Sequence, residues 1–169
     1  MYKKLGEMPT TIIMRYSDSR IDEVTKTRYH KKIGNLMGRY LPKNRAEENA
    51  ESDSLYKSGM TVLRNYANSN RETEARVYQE LKNYNYWRNL YGCKWFSIGL
   101  YIILALREFY LIPNFDIKKM VMEFPAEYMS IAIIALSILI MLFFVNKKVV
   151  ERKAFDYAKT LAEVCERIS

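Results

Sequence analysis

The chain has 169 residues, with 27 Lys and Arg against 19 Asp and Glu, a net charge of +8, and 49% hydrophobic residues. These are the bulk values of an ordinary soluble domain, but they average over a segregated sequence: charge is dense before Trp95 and after Val145 and nearly absent from two stretches between. One histidine, two cysteines and no Gly-rich phosphate loop give no Ser-His-Asp set, no zinc pattern and no P-loop, so no catalytic residue, metal ligand or cofactor is assigned and no small-molecule substrate is expected.

Residues 1–70 read as an N-terminal helical region. Thr10 to Tyr16 (TTIIMRY) has the composition of a short strand, which would need a partner to be stable. Asp18 or Ser19 can cap a helix that runs to Leu41 and stops at Pro42. On it Tyr29, Ile33, Leu36 or Met37 and Tyr40 recur at helical spacing. Arg28, Lys31, Lys32 and Arg39 form the opposite, basic face, a candidate contact for a partner or nucleic acid. His30 lies among them and is expected on the solvated surface. Glu47, Glu48, Glu51 and Asp53 follow as an acidic group that suits a helix start better than a metal site. Glu47 to Ala67 reads as a second helix, with Leu55, Met60, Leu63 and Tyr66 in phase and Gly59 against it.

Residues 71–112 read as one long helix that includes a first transmembrane span, 95–112. Ser69 to Glu72 has capping-box spacing. Val77, Leu81, Tyr84, Trp87, Tyr91 and Trp95 then make one stripe, and no Pro interrupts before Pro113. At 1.5 Å per residue such a helix is ~63 Å long, about twice the membrane's hydrocarbon thickness. Its first half would therefore project from the bilayer.

Residues 113–127 are the expected extracytoplasmic linker. Residues 128–145 form a second span of 18 residues without a charge, at the short end of the roughly 17–25 a crossing helix needs. Residues 146–169 read as a cytoplasmic helix continuous with it, with Ala154, Ala158, Leu161, Cys165 and Ile168 at heptad-like spacing. The two extensions would lie side by side, zipped by Leu81, Tyr84, Trp87, Leu161 and Ile168. Neither span is expected to be a cleaved signal peptide, since a polar stretch of 94 residues precedes the first.

The basic residues set the orientation. Residues 1–94 hold 18 basic and 11 acidic side chains and residues 146–169 hold six and four, whereas residues 107–128 hold three and four. Both termini are therefore expected in the cytoplasm of a cell whose inner membrane is crossed twice. Trp87, Arg88, Trp95, Lys147 and Lys148 are the expected interface anchors. Arg107 and Glu108 are the only charges inside a span. They either snorkel to the outer interface or line a pore formed by several copies. Ten of the fourteen tyrosines precede Trp95 among those 18 cations, a composition suited to base stacking with phosphate contact or to anionic lipid.

The segment Asn83 to Phe96, NYNYWRNLYGCKWF, resembles a motif of small uncharacterised bacterial membrane proteins, in which an aromatic, Arg-Asn-Leu, Gly and Lys lead into a span. The plan of cytoplasmic helix, two spans and trailing helix is similar to the two-span effectors of bacterial conflict systems, including the SLATT group. That resemblance covers most of residues 55–169. It implies a non-enzymatic phage-defence effector that permeabilises the membrane when a cytoplasmic regulatory protein, nucleotide or nucleic-acid signal triggers it. The alternative is a membrane-anchored scaffold that recruits a cytoplasmic complex through its basic helices. The expected fold is an all-α membrane protein, a two-span hairpin with long cytoplasmic extensions and an N-terminal helical region. Ser97, Gly99, Ala105, Ser130, Ala132, Ala135 and Ser137 allow close helix approach in lipid, so a homo-oligomer is expected.

Overall fold

Pro9 opens the first element of the computed structural model, which describes residues 8–49, 51–112, 118, 122 and 128–168. The expected linker, 113–127, lies outside these apart from Lys118 and Met122. Every regular element is helical, with no strand among the described residues. The chain divides into two units, Met1–Asn85 with Glu151–Ser169, and Tyr86–Val150.

The first unit begins with a single helical turn, α1 (Pro9–Ile12), where a short strand was expected. Proline at the first helical position suits a helix start, and Thr11, Ile13, Met14 and Tyr16 are buried. The next helix, α2 (Glu23–Met37), is capped by Asp22, whose carboxylate accepts from the Thr25 amide at 2.8 Å. Neither Asp18 nor Ser19 caps it. It stops at Gly38, not Pro42. Gly38 takes the left-handed conformation (φ 62°), and the Gly38 and Arg39 amides close on the Asn35 and Gly34 carbonyls. This is the two-bond pattern of a glycine-terminated helix. Tyr40 therefore leaves the helix and is exposed.

Asn49 starts α3 (Ser52–Ser69) by accepting from the Glu51 and Ser52 amides, later than the expected Glu47. Its buried face is Tyr56, Met60, Leu63 and Ala67, a turn-by-turn stripe. Gly59 sits where α2 and α3 cross: a Cβ there would come within 2.5 Å of the Ile33 side chain. The expected capping box is absent. Ser69 is the last residue of α3, the Asn70 side chain bonds the Tyr66 carbonyl, and α4 (Ala75–Leu111) begins only after Glu74.

The C-terminal stripe closes this core. Ala158, Leu161, Cys165 and Ile168 are buried in one cluster with Ile33, Leu63 and Val77, against which Leu81 and Tyr84 pack, and Ala154 is buried as well. Polar bonds fix the same end: Arg167 forks onto buried Glu74 at 2.7 and 2.5 Å, and Lys32 Nζ donates to the Cys165 and Ile168 carbonyls at 3.0 and 2.7 Å. Residues 8–70 are thus part of one core with the C-terminus rather than a separate appendage.

The helix expected to run unbroken past residue 145 is two helices, α5 (Met129–Phe143), in the second unit, and α6 (Lys147–Glu163), most of which belongs to the first. The helix breaks between them, at residues 144–146. Asn146 makes the break: its amide nitrogen donates to the Phe143 carbonyl and its oxygen accepts from the Val149 amide, which caps α6. Helix α4 is long and apolar enough to cross a membrane by itself; α5 passes the same test only when joined to α6 across the break.

Candidate functional site

Each unit holds one candidate. In the second, two contacts set the pairing of α4 with α5. Lys94 Nζ donates to the Leu142 and Val145 carbonyls at 3.2 and 2.8 Å, and Ser130 Oγ donates to Glu108 Oε2 at 3.0 Å. Residue 94 thus faces the end of α5 and residue 108 its start, so the two helices run antiparallel. Only 11% of the most apolar 18-residue window of α4 is buried. Trp95, Phe96, Ile103, Leu106, Ile133, Leu136 and Phe143 are each more than half exposed. Burying one such side chain is worth about 1.5–3 kcal/mol. An apolar surface on this scale is what a membrane or a partner covers.

Charge is confined to the two ends of this hairpin. At one end Lys94 is buried. Its amine satisfies carbonyls that the helix end leaves open, and it sits 5.5 Å from the Trp95 ring. Among the expected anchors, Trp95, Arg88, Lys147 and Lys148 are exposed, while Trp87 is half-buried with its ring edge-on to Tyr86. At the other end Arg107 pairs with Glu108 at 3.1 Å; the arginine is well exposed and the glutamate mostly covered. The Ser130 bond gives Glu108 a role in joining the helices.

The first unit sorts the four expected basic contacts into two kinds. Arg28 is paired with Glu166 at 3.0 Å, and Tyr29 donates to the same carboxylate at 2.9 Å. Lys32 is spent on the C-terminal carbonyls. Lys31 and Arg39 instead line a cleft of about 810 Å³ between the end of α2 and the segment after it, together with Thr27, Asn35, Tyr40 and Lys43. Those last two are residues that sequence reasoning missed, because it kept Tyr40 on the helix and placed Lys43 in a turn beyond it.

His30 forms the cleft's floor and corrects the expectation of a solvated residue. Its ring is 2% exposed, Nδ1 lies 2.7 Å from the Pro42 carbonyl and Nε2 2.9 Å from the Met14 carbonyl. Tyr16 and Tyr56 pack against it with centroids at 5.1 and 5.0 Å. Burial pushes its pKa down, and the two carbonyl contacts oppose part of that shift. The acidic group is also engaged: Asp53 holds Arg15 through two bonds, Glu48 accepts from Tyr56 and the Tyr16 amide, and Glu47 accepts from Tyr40.

No family model, curated protein or solved structure matches the chain. The functional reading therefore rests on the molecule's own chemistry. A catalytic constellation would need a nucleophile, a base and an orienting group in reach of one another. His30, the chain's one histidine, has both ring nitrogens against backbone carbonyls. The two candidates are an exposed apolar hairpin surface and a basic cleft.

Proposed function

We propose that the protein is a non-enzymatic membrane effector. Residues 95–112 and 128–145 cross the inner membrane as a hairpin, with both termini and the helical core in the cytoplasm. The observation that carries this reading is the near-continuous exposed apolar surface of residues 95–106 of α4 and of α5, with charge only at the two ends of that paired stretch. Lipid covers such a surface without help from other protein. Lys94, Lys147 and Lys148 at one end and the neutralised Arg107–Glu108 pair at the other fit a bilayer whose cytoplasmic side is the basic one.

A single hairpin encloses no conduit, so permeabilisation requires several copies, with Arg107 turned toward water in the assembly. A cytoplasmic signal acting on the core would trigger it, and the plan's similarity to two-span conflict effectors makes phage defence its setting. Expression of the unregulated chain should depolarise cells, read by a potential-sensitive dye, and Arg107→Leu should reduce that leak at equal membrane abundance. Normal dye uptake at full expression would contradict the effector reading.

The scaffold reading draws on Lys31 and Arg39, which carry no ion pair among the described residues. Deleting residues 1–70 does not separate the two readings, because it removes half of the core around Leu161. Lys31→Glu with Arg39→Glu does: loss of a captured partner with no leak at any expression level favours the scaffold.

A further inference from the structure

We propose that the cleft at the end of α2 binds a nucleoside phosphate. This goes beyond the membrane reading and is independent of it, since every lining residue belongs to the first unit. The charge comes first. Lys31, Arg39 and Lys43 converge on the cleft and no carboxylate lines it. Lys31 and Arg39 make no side-chain hydrogen bond or ion pair among the described residues, whereas their neighbours Arg28 and Lys32 are both spent. Uncompensated like charges around a concavity raise the local concentration of anions, and Arg in particular forks onto phosphate.

The end of a helix would ordinarily repel an anion, because its last carbonyls point outward. Here the Gly34 and Asn35 carbonyls are closed by the Arg39 and Gly38 amides, which removes much of that objection. Glu47, which bonds the lining residue Tyr40, lies outside the lining and is occupied by the Tyr40 hydroxyl, the Lys43 amide and Asn44.

Tyr40 points to a flat ring beside the phosphate. Its hydroxyl is anchored to Glu47 at 2.6 Å and Lys43 Nζ lies 5.3 Å from the ring centroid, yet the residue is 61% exposed. An anchored aromatic ring with an open surface is a stacking platform for a base. The Asn35 side-chain amide, without a partner among the described residues, offers both a donor and an acceptor to a base edge. At about 810 Å³ the cleft is within the roughly 300–1,000 Å³ typical of small-molecule sites.

Calorimetric titration of the full chain in a neutral detergent tests this, with the four ribonucleoside mono- and triphosphates, inorganic triphosphate (charge without ring) and anionic-lipid vesicles as probes. Saturable binding of at least one nucleotide is expected, weakened about tenfold or more by Lys31→Glu or Arg39→Glu, and untouched by Lys57→Glu on α3. Tyr40→Ala should weaken the nucleotide and leave triphosphate unchanged. Lys31 and Arg39 are exposed, so the variants' far-UV circular dichroism should match the parent. Four results would each overturn the proposal. These are no saturable nucleotide binding at about 5 mM, affinity unchanged in the double charge reversal, triphosphate bound as tightly as any nucleotide, and charge-dependent binding to the vesicles alone.

Discussion

Replacing His30 by Ala should be among the most damaging single changes in the cytoplasmic core. The imidazole meets two buried carbonyls; in the neutral form that burial favours it donates to one of them, a hydrogen bond worth about 1 kcal/mol net. Removal also leaves that carbonyl without its donor and a void between Tyr16 and Tyr56. Truncating a buried ring costs ~3–5 kcal/mol, a large part of the 5–15 kcal/mol that holds a typical domain together. Urea unfolding of the full chain in mild detergent, followed by far-UV circular dichroism, reads this. Tryptophan fluorescence is blind to it, because Trp87 and Trp95 both lie in the other unit. His30→Gln, which retains a donor, should fall between parent and Ala. A His30→Ala variant within about 0.5 kcal/mol of the parent, the behaviour of a surface residue, would refute the burial argument.

The sign of the pH dependence follows from the same contacts. Burial lowers the folded pKa of His30, so between that value and the unfolded value of about 6.5 the unfolded chain binds more protons. The histidine's contribution is therefore complete above about pH 6.5 and is lost as pH falls below it. His30→Gln should flatten that part of the stability curve. Lys32→Met should cost about 2–3 kcal/mol by removing two charge-assisted bonds to the C-terminal carbonyls, while Lys31→Met, on the open cleft, should stay within about 0.5 kcal/mol in the same unfolding assay. Burial pushes the Cys165 thiol up to about 12, whereas Cys93 is exposed. Iodoacetamide at pH 8 should therefore add one label to the folded protein, at Cys93, and two after denaturation, counted by mass spectrometry.

The sequence displayed the periodic features well. The stripes through Leu63, Val77, Leu81, Leu161 and Ile168 meet in one core, because apolar residues at helical spacing have one cheap place to go. Boundaries were less legible. Gly38, rather than Pro42, ends α2, since a left-handed glycine closes two carbonyls while proline merely cannot extend a helix. Asn146, inside a run without Gly or Pro, makes a break that hydropathy does not register, yet it is a strong helix-capping residue at the end of an apolar stretch. The candidate site was half legible. Composition marked Lys31 and Arg39 but could not distinguish them from Arg28 and Lys32, whose partners lie more than 130 residues away. His30 was misplaced for the same reason: its partners, Met14 and Pro42, are brought to it only by the turns on either side of α2.

The claim on which the effector reading depends is that α4 and α5 cross a bilayer, leaving Lys118 outside the cell membrane and Lys57 inside. Single cysteines at those positions, in a Cys93→Ser, Cys165→Ala background and treated with a membrane-impermeant maleimide on intact spheroplasts, test it directly. Labelling of Lys118→Cys without lysis, and of Lys57→Cys only after lysis, is the expected result. Protection of Lys118→Cys until lysis would place the hairpin's connection on the same side as the core and contradict the two-span account.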